Sequence, residues 1–353
     1  MSKLIFRKNT RKIRVGNVYI GGDAPITVQS MTNTKTSDVR ATVEQIKKLE
    51  EAGCDIVRFA IPDMQSALAI EEIKRKISVP VVADIHFDYR LAITAMEKGA
   101  DKVRINPGNI GSEDRVKSVI SCAKERRIPI RIGVNSGSLD KELLDKYSGV
   151  TPEALVESAL KHVSILERLN FYDIVISLKA TNVPLTIAAY KLMSEKVSYP
   201  LHIGVTEAGT VYNGTIKSAV GIGALLANGI GDTLRVSLTG DPAEEIKAGK
   251  AILKSLGLYN RGAELISCPT CGRTKINLIA IAEQVEKALE NVEKPIKVAV
   301  MGCAVNGPGE AREADIGIAG GDGCALLFKK GKILRKIPED RIIEELMNEI
   351  EKF

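Results

Sequence analysis

The sequence contains no tryptophan, only three histidines and only 4% aromatic residues among its 353 residues. So few aromatic rings argue against a surface that binds single-stranded nucleic acid by base stacking. No apolar run approaches the ~20 residues of a membrane-spanning helix. The basic amino-terminal segment lacks the apolar core of a signal peptide. We therefore expect a cytoplasmic protein whose cysteines are thiols or metal ligands rather than disulfides.

Neither sign of charge is in large excess. Fifty lysines and arginines stand against 44 aspartates and glutamates, a net charge of +6. This mild excess is too small for a nucleic-acid-binding stripe, but it suits an acidic protein partner. The 44% of hydrophobic residues excludes a disordered chain.

Short apolar segments alternate with helical patterns over residues 27–256. Eight strand candidates begin at Thr27, Asp55, Pro80, Asp101, Pro129, Asp173, Pro200 and Asp232. Between them, apolar residues recur at helical spacing over 37–52 and 151–169, with Asp38 and Thr151 near the predicted starts. A glycine pair, Gly221 and Gly223, lies in a helical pattern and matches a dinucleotide-binding loop only weakly. Eight such units predict a closed (β/α)8 TIM barrel.

The pattern changes after Leu258, and we place the domain boundary at 262/263. Residues 1–262 form the predicted barrel, which would bind the substrate. Residues 263–353 form a predicted small α/β domain. It contains a Cys-Pro-Thr-Cys segment, a helix over about 275–290, a strand at 297–302, a glycine-rich loop, a β-like region and a terminal helix.

Cationic side chains are predicted inside the barrel, because alternate residues of a strand point to opposite sides. Arg58, Arg104, Arg131 and Arg235 each lie between two apolar residues that suit the helix-facing side. A four-residue pattern of Asp, any residue, an apolar residue and Arg occurs three times, beginning at Asp55, Asp101 and Asp232. It ends at Arg58, Arg104 and Arg235. The repeat predicts equivalent positions in successive barrel units.

Further polar residues share the predicted inner face: Asp84, Asn135, Lys179 and His202. Converging cations are costly to bury unless an anion meets them, and arginine binds phosphate oxygens in pairs. A substrate with more than one phosphoryl group is one interpretation. The alternative pairs the arginines with strand carboxylates such as Asp55 and Asp101. Glu207, at the carboxyl end of the seventh strand, fits either an acid–base role or a salt bridge.

The cysteines form a second constellation. Cys268 and Cys271 make a C-x2-C pair, and Cys303 follows in a distant glycine-rich segment. No histidine occurs after His202, so a zinc site would need Cys324 as its fourth ligand. Three thiolates without imidazole favour an iron–sulfur cluster with one unusual ligand, for which Glu310 offers an oxygen. A thioredoxin-like pair fits less well, because no strand is predicted directly before Cys268.

Ten segments resemble, in order, the 4-hydroxy-3-methylbut-2-enyl diphosphate synthase family of the non-mevalonate isoprenoid pathway. They are VQSMTNT, DIVRFAIP, ADIHFD, VRINPGN, RIGVNSGSL, SLKAT, GVTEAG, RVSLTGDP, SCPTCGRT and GCAVNGPGEA. The resemblance spans essentially the whole chain and fits the two-domain bacterial form. It implies a TIM barrel followed by a domain similar to those of sulfite and nitrite reductases.

The resemblance also implies residue roles. A [4Fe-4S] cluster would be held by Cys268, Cys271, Cys303 and Glu310, which leaves Cys324 outside the pattern. Diphosphate contacts would fall on Arg58, Arg104, Arg131, Asn135, Lys179 and Ser237. Glu207 would deliver a proton, and Asn306 is a further contact candidate. His202, predicted on the inner face, is also taken as a substrate-binding candidate.

The reaction implied is reductive opening of 2-C-methyl-D-erythritol 2,4-cyclodiphosphate, with two electrons from a flavodoxin or ferredoxin. The family implies a head-to-tail homodimer in which each cluster domain caps the partner's barrel. Two rival functions remain at this point. One is a barrel enzyme for a phosphorylated substrate with a structural zinc site, and the other is a non-enzymatic iron–sulfur carrier.

Overall fold

A computed structural model describes residues 4–290, 292–304, 311 and 313–353. The chain divides into two compact units, Met1–Tyr259 and Asn260–Phe353. No helix in the described ranges combines the length and apolar character of a membrane span.

The first unit begins with a short antiparallel hairpin, β1 (Ile13–Val15) and β2 (Val18–Ile20). Eight parallel strands follow. They are β3 (Thr27–Met31), β4 (Ile56–Ala60), β5 (Val81–Asp84), β6 (Lys102–Ile105), β7 (Ile130–Asn135), β8 (Ile174–Lys179), β9 (His202–Ile203) and β10 (Thr233–Leu234). The helices of this unit are α1 (Val39–Glu51), α2 (Met64–Lys74), α3 (Tyr89–Glu97), α4 (Pro107–Ile110), α5 (Glu113–Arg126), α6 (Lys141–Lys146), α7 (Pro152–Arg168), α8 (Val183–Lys196), α9 (Val211–Ala227) and α10 (Pro242–Ser255).

The eight strands form a nearly closed barrel. Each strand from β3 to β8 pairs in parallel with the next, and β10 pairs with both β3 and β9. A parallel bridge between Ile176 and Leu201 joins β8 to the segment before β9. Every strand starts within two residues of its predicted start, so the predicted TIM barrel is confirmed.

Local capping explains where the predicted helices begin. The Asp38 carboxylate accepts a hydrogen bond from the Ala41 amide at the start of α1, and the Thr151 hydroxyl accepts one from the Ala154 amide at the start of α7. Such caps satisfy amide groups that have no partner within the helix. Both helices therefore lie where their apolar spacing and caps predict them.

The amino-terminal hairpin closes the amino end of the barrel, which the sequence did not predict. Its apolar side chains pack against three residues that point into the barrel. The cluster consists of Ile13, Val15, Ile20, Ile56, Val82 and Val175. All six side chains are almost fully buried. Within the described residues, the hairpin thus seals this end of the barrel.

The second unit contains one five-stranded sheet. Its strands are β11 (Glu264–Ser267), β12 (Lys297–Met301), β13 (Ile316–Gly321), β14 (Cys324–Lys329) and β15 (Lys332–Pro338), in that spatial order. The first three are parallel, and the last two add antiparallel pairs. Helices α11 (Leu278–Leu289) and α12 (Ile342–Glu351) cover one face. A small α/β domain is confirmed, whereas its predicted similarity to sulfite and nitrite reductases stays a prediction.

Candidate functional site

Inward-facing side chains of the barrel are predominantly polar. The strand register places them in layers of four taken from alternate strands, as in other TIM barrels. Counted from the sealed end, layer 1 holds Ile56, Lys102, Val175 and Thr233, and layer 2 holds Gln29, Val82, Arg131 and His202. Layer 3 holds Arg58, Arg104, Ser177 and Arg235, and layer 4 holds Met31, Asp84, Gly133 and Gly204. Lys179 and Ser237 follow at the open mouth.

The repeated Asp-x-apolar-Arg pattern places its three arginines in one layer. Arg58 and Arg104 lie on β4 and β6. Arg235 extends the β10 ladder, because its amide donates to the Ile203 carbonyl. The prediction of equivalent barrel positions is confirmed, but the predicted succession is wrong, because β4, β6 and β10 are not consecutive strands. Three guanidinium groups are thus brought to one level.

Two of these arginines share one carboxylate. Arg104 Nη1 lies 3.3 Å from Asp84 Oδ1, and Arg58 Nε lies 3.8 Å from Asp84 Oδ2. Burial raises the pKa of Asp84, but Arg58, His86 and Arg104 outweigh it and hold the pKa well below its usual value. Burial lowers the pKa of Arg58 to about 10, against the opposing effect of Asp84. Asp84 and Arg58 therefore stay charged at neutral pH.

Arg235 has its own partner, which the sequence analysis did not identify. Its Nε and Nη2 atoms donate to the two carboxylate oxygens of Glu245 at 3.1 and 3.0 Å. Glu245 lies on α10 and is only 3% exposed. This bidentate pair fixes the guanidinium beside the sulfur of Met31, which also accepts from Arg58 at 2.8 Å.

The alternative that pairs the arginines with strand carboxylates holds for Asp84 but is wrong for the two named examples, Asp55 and Asp101. Asp55 Oδ2 accepts from the Val28 amide at 2.7 Å, and Asp101 Oδ2 accepts from the Val81 amide at 2.8 Å. Asp232 does the same for the Leu201 amide at 2.9 Å. Each aspartate begins a strand, so its carboxylate ties that strand to its neighbour near the sealed end. The arginine three residues later points into the barrel.

Arg131 differs from the other arginines, because it is fully buried without an anionic partner. None of its three guanidinium nitrogens has a hydrogen-bond partner within the described part of the chain. Burial, and then the positive charges of Arg58 and Arg104, lower its pKa well below the ordinary value. A buried guanidinium without a partner is strongly unfavourable unless a ligand meets it. This is the clearest sign of an anion site in the barrel.

The open mouth collects further predicted site residues. Asn135 and Lys179 are register partners at the carboxyl ends of β7 and β8. Burial, and then Arg58 and Arg131, lower the pKa of Lys179 well below its ordinary value. Glu207 is exposed, and its Oε2 accepts from the Thr181 hydroxyl at 3.0 Å. Its φ of +52° is uncommon for a residue with a side chain, so the loop around it is constrained.

His202 lies at the same level as Arg131 and deeper than the remaining substrate-binding candidates. It is only 2% exposed, in layer 2, and its Nδ1 is 3.4 Å from the Thr233 hydroxyl. Burial, and then the charges of Arg131 and Lys102, hold its pKa well below the usual value, so the ring is neutral. The structure does not bring His202 to the mouth, where Lys179 and Ser237 lie.

Lys102, Gln29 and Gly133 are among the interior residues that the sequence analysis missed. Lys102 is fully buried, and alternation from Arg104 would have turned it inward. Gln29 is fully buried with neither amide atom paired among the described residues. A Cβ atom at Gly133 would lie 2.7 Å from Arg104 Nε, so only glycine leaves room for that guanidinium. No residue pattern signals the need for glycine at this point.

Two of the three predicted cluster cysteines follow neighbouring parallel strands. Cys268 directly follows β11, and Cys303 lies two residues beyond β12, so both belong to the same sheet edge. The Gly302 amide donates to Cys268 Sγ at 3.2 Å, which ties the two segments together. Amide hydrogen bonds of this kind stabilise thiolate ligands and tune iron–sulfur clusters.

Cys271 is exposed, and backbone hydrogen bonding from Arg273 lowers its pKa. All six cysteines are free thiols. A set of soft thiolates without histidine fits an iron–sulfur cluster. Among residues 4–290, 292–304, 311 and 313–353, no three His, Cys, Asp or Glu side chains are close enough together to hold a metal ion. Glu310 and Asn306 lie outside the described residues.

One argument of the sequence analysis needs correction. Strand β11 does precede Cys268, and β11, α11 and β12 form a βαβ unit. The strand was missed because it is short and half exposed. The thioredoxin-like alternative still fails, for a different reason. Helix α11 begins at Leu278, so the C-x2-C pair is not in its first turn, where such pairs are activated.

Comparison with solved structures supports the fold of the first unit. Dihydropteroate synthase from Stenotrophomonas maltophilia matches with a TM-score of 0.50 and 15% identity, over 70% of this chain and 98% of that one. The 3-dehydroquinate dehydratase from Geobacillus kaustophilus matches with a TM-score of 0.51 and 16% identity, over 72% of this chain and 100% of that one. At such identities the likeness shows the barrel fold alone.

Relatives found by sequence are far more similar to this chain in sequence than these solved structures are. The 4-hydroxy-3-methylbut-2-en-1-yl diphosphate synthase (flavodoxin) of Ruminiclostridium cellulolyticum is 66% identical over 350 residues, covering 99% of both chains. Its namesake from Geobacillus thermodenitrificans is 59% identical over 352 residues, covering 100% of this chain and 94% of the relative. The GcpE TIM-barrel domain matches residues 10–250, and the GcpE protein C-terminal domain matches residues 264–352. Because these matches span both units, the chain belongs to the GcpE family.

Proposed function

We propose that the chain is an iron–sulfur oxidoreductase that converts 2-C-methyl-D-erythritol 2,4-cyclodiphosphate to 4-hydroxy-3-methylbut-2-enyl diphosphate. Full-length relatives carry this enzyme's name. The single structural observation that supports it best is the barrel interior, where a fully buried Arg131 has no anionic partner among the described residues. A diphosphate at the mouth supplies the missing negative charge.

The two parts of the chain take different tasks in this proposal. Residues 1–262 bind the substrate, and residues 263–353 carry the redox centre. Diphosphate contacts fall on Arg58, Arg104, Arg131, Asn135, Lys179 and Ser237. His202 and Asn306 complete the proposed substrate site. Arginine is suited to this task because its planar group binds two phosphate oxygens at once.

Neighbouring carboxylates hold the arginines ready for the substrate. Asp84 fixes Arg58 and Arg104, and Glu245 fixes Arg235, so little reorganisation accompanies binding. Such preorganisation keeps the reacting carbon in a defined place. In the overall reaction two electrons and two protons enter, a ring carbon–oxygen bond breaks, and one hydroxyl leaves as water. Glu207, exposed at the mouth, holds one of these protons.

The proposed cofactor is a [4Fe-4S] cluster held by Cys268, Cys271, Cys303 and Glu310. When bound, it supplies single electrons and a Lewis-acidic iron. The supporting observation is the shared sheet edge of Cys268 and Cys303, with the Gly302 amide donating to Cys268 Sγ. We expect Glu310→Ala to retain three thiolate ligands but to lose one iron easily. Unchanged iron content and activity in this variant would show that Glu310 is not a ligand.

An external protein must deliver the electrons, and we propose flavodoxin, which the names of the relatives include. We further propose a cytoplasmic homodimer in which each cluster domain caps the partner's barrel. Exposed apolar side chains at successive turns of α9, Tyr212, Ile216 and Val220, support association between copies, because such stripes are rare on monomers. Sedimentation of the wild type and of Ile216→Lys measures this, and a wild-type monomer would contradict it.

Turnover of the cyclic diphosphate tests the proposed function. Protein purified without oxygen is mixed with reduced flavodoxin and substrate, and the linear product is quantified. We expect turnover by the wild type and by Arg40→Met, whose side chain is 90% exposed on α1. We expect severe loss for Arg131→Met. Colourless protein that contains zinc would contradict the proposal, and so would full turnover by Arg131→Met.

A further inference from the structure

The two deepest layers of the barrel hold a group of buried polar side chains that reaches below the level of the proposed diphosphate site. Lys102 in layer 1 and Arg131 in layer 2 are both fully buried. Gln29 and the neutral ring of His202 lie beside Arg131 in layer 2. We call these four residues the deep chamber.

The deep chamber is closed from below. Ile13, Val15 and Ile20 of the amino-terminal hairpin pack against the apolar side chains of layers 1 and 2. Given the usual strand rise of about 3.3 Å and a tilt of about 36°, Lys102 lies roughly 11 Å below Lys179 along the barrel axis. A diphosphate held at the mouth by Lys179 therefore does not occupy the level of Lys102.

Three of the four residues of the deep chamber carry unpartnered polar atoms. Lys102 Nζ, all three guanidinium nitrogens of Arg131 and both amide atoms of Gln29 have no hydrogen-bond partner among the described residues. No carboxylate among the described residues belongs to layers 1 and 2. Asp84, two layers above Arg131, is already shared by Arg58 and Arg104. Two buried cations thus face each other without a countercharge from the protein.

Burial without a countercharge has a measurable consequence for Lys102. Burial, and then the charges of Arg131 and Arg58, lower the pKa of its amine to about 7. Arg58 faces the Lys102 amine from β4 and Arg131 faces it from β7, and the neutral His202 ring faces it from β9. A water molecule could satisfy hydrogen bonds here but would leave the charge uncompensated. An anion would accept the hydrogen bonds and also compensate the charge.

We propose that a small inorganic monoanion, chloride under ordinary conditions, binds in the deep chamber between Lys102 Nζ and the Arg131 guanidinium. The Gln29 side-chain amide is the third donor. The sealed floor and the surrounding side chains favour a monatomic ion over a tetrahedral one. Arg131 offers five N–H donors, so the ion and the diphosphate above it use different edges of the same guanidinium. This chloride site shares Arg131 with the proposed diphosphate site but lies below it, and it does not depend on the proposed function.

Bromide is a direct probe, because it replaces chloride and scatters X-rays anomalously. Crystals of the full-length protein grown without halide are soaked in bromide, with the wild type, Lys102→Met and Lys117→Met compared. Lys117 is an exposed lysine of α5 and serves as the matched control. We expect an internal anomalous peak between Lys102 and Arg131 in the wild type and in Lys117→Met, and no such peak in Lys102→Met.

A measurement in solution guards against a variant that fails to fold. Wild-type protein is melted in increasing chloride, with gluconate holding the ionic strength constant. A ligand that binds only the folded state raises the melting temperature in a saturable way. We expect a saturable rise for the wild type and Lys117→Met and a flat response for Lys102→Met. A wild-type map without an internal peak, a peak only at the mouth, or a wild-type melting temperature indifferent to chloride would each overturn the site. Turnover of the cyclic diphosphate is measured separately, so failure of the chloride site leaves the proposed function standing.

Discussion

The barrel interior and the cysteine edge both use the carboxyl ends of parallel strands, yet they are built differently. In the barrel, Asp84 and Glu245 hold arginines in defined positions through buried ion pairs. At the sheet edge, strand pairing brings Cys268 and Cys303 to the same side, but Cys271 is exposed in the loop beyond. The barrel site is therefore prearranged by side-chain contacts, whereas in our proposal the cofactor draws the thiol ligands together.

The largest effect is expected from a substitution in the thiol site. Cys303→Ser replaces a soft thiolate with a hydroxyl, which is a poor ligand for iron. We expect loss of the cluster and of all turnover, with folding of the barrel unchanged. Iron and sulfide content measures this. Cys122→Ser, which removes a half-buried thiol of α5, is the control and retains both. Full iron content in Cys303→Ser would remove that residue from the ligand set.

On the barrel side, Asp84→Asn removes the carboxylate that Arg58 and Arg104 share. Loss of one partner from a buried ion pair costs about 3–5 kcal/mol. Because the folded-state pKa of Asp84 is lowered, its stabilising effect is present above pH ~4 and is lost as the pH falls below that value. Urea unfolding at several pH values measures both effects. A variant as stable as the wild type at pH 7 would contradict the role assigned to Asp84.

Arg131→Met separates function from stability. Removing a fully buried and unpaired charge should raise the free energy of unfolding in halide-free buffer, while kcat/KM for the cyclic diphosphate falls by about 100-fold. Denaturant unfolding and steady-state kinetics measure the two quantities. Loss of both stability and activity would indicate instead that Arg131 has a structural partner.

A smaller effect is expected for Gly133→Ala. Its Cβ would displace the Arg104 guanidinium, so we expect a several-fold higher KM with little change in kcat. Gly137→Ala is the control from the segment that follows β7, since a Cβ at Gly137 meets nothing within 4 Å. Equal KM values for the two variants would show that Arg104 adjusts without cost.

The smallest effect concerns pH. Between the folded-state pKa of Lys102, about 7, and its unfolded value of about 10.5, the unfolded chain binds more protons. Stability contributed by this site therefore rises with pH across that range. In halide-free buffer, we expect the stability difference between wild type and Lys102→Met to shift in favour of the wild type as pH increases. A pH-independent difference would show that Lys102 titrates normally.

Local patterns predicted the barrel and most of its inward cations, because alternation along a strand is a short-range property. Arg58, Arg104 and Arg131 follow from their apolar neighbours alone. The partners do not follow, since Asp84 and Glu245 meet their arginines through the register of the closed barrel. Asp55 and Asp101 were assigned wrongly because a sequence does not show that a carboxylate caps the neighbouring strand. The hairpin β1–β2 and strand β11 were missed because they are short and lie outside the repeated strand–helix units that identified the equally short barrel strands.

The most direct test of the account combines the two regions in one sample. Iron and sulfide are quantified in protein kept free of oxygen, and its spectrum is recorded before and after addition of the cyclic diphosphate. We predict roughly four iron and four sulfide ions per chain. We also predict a spectral change that the wild type shows and Arg131→Met does not. A protein that contains zinc would contradict the proposed function. So would a protein that contains iron but whose spectrum does not change when the cyclic diphosphate is added.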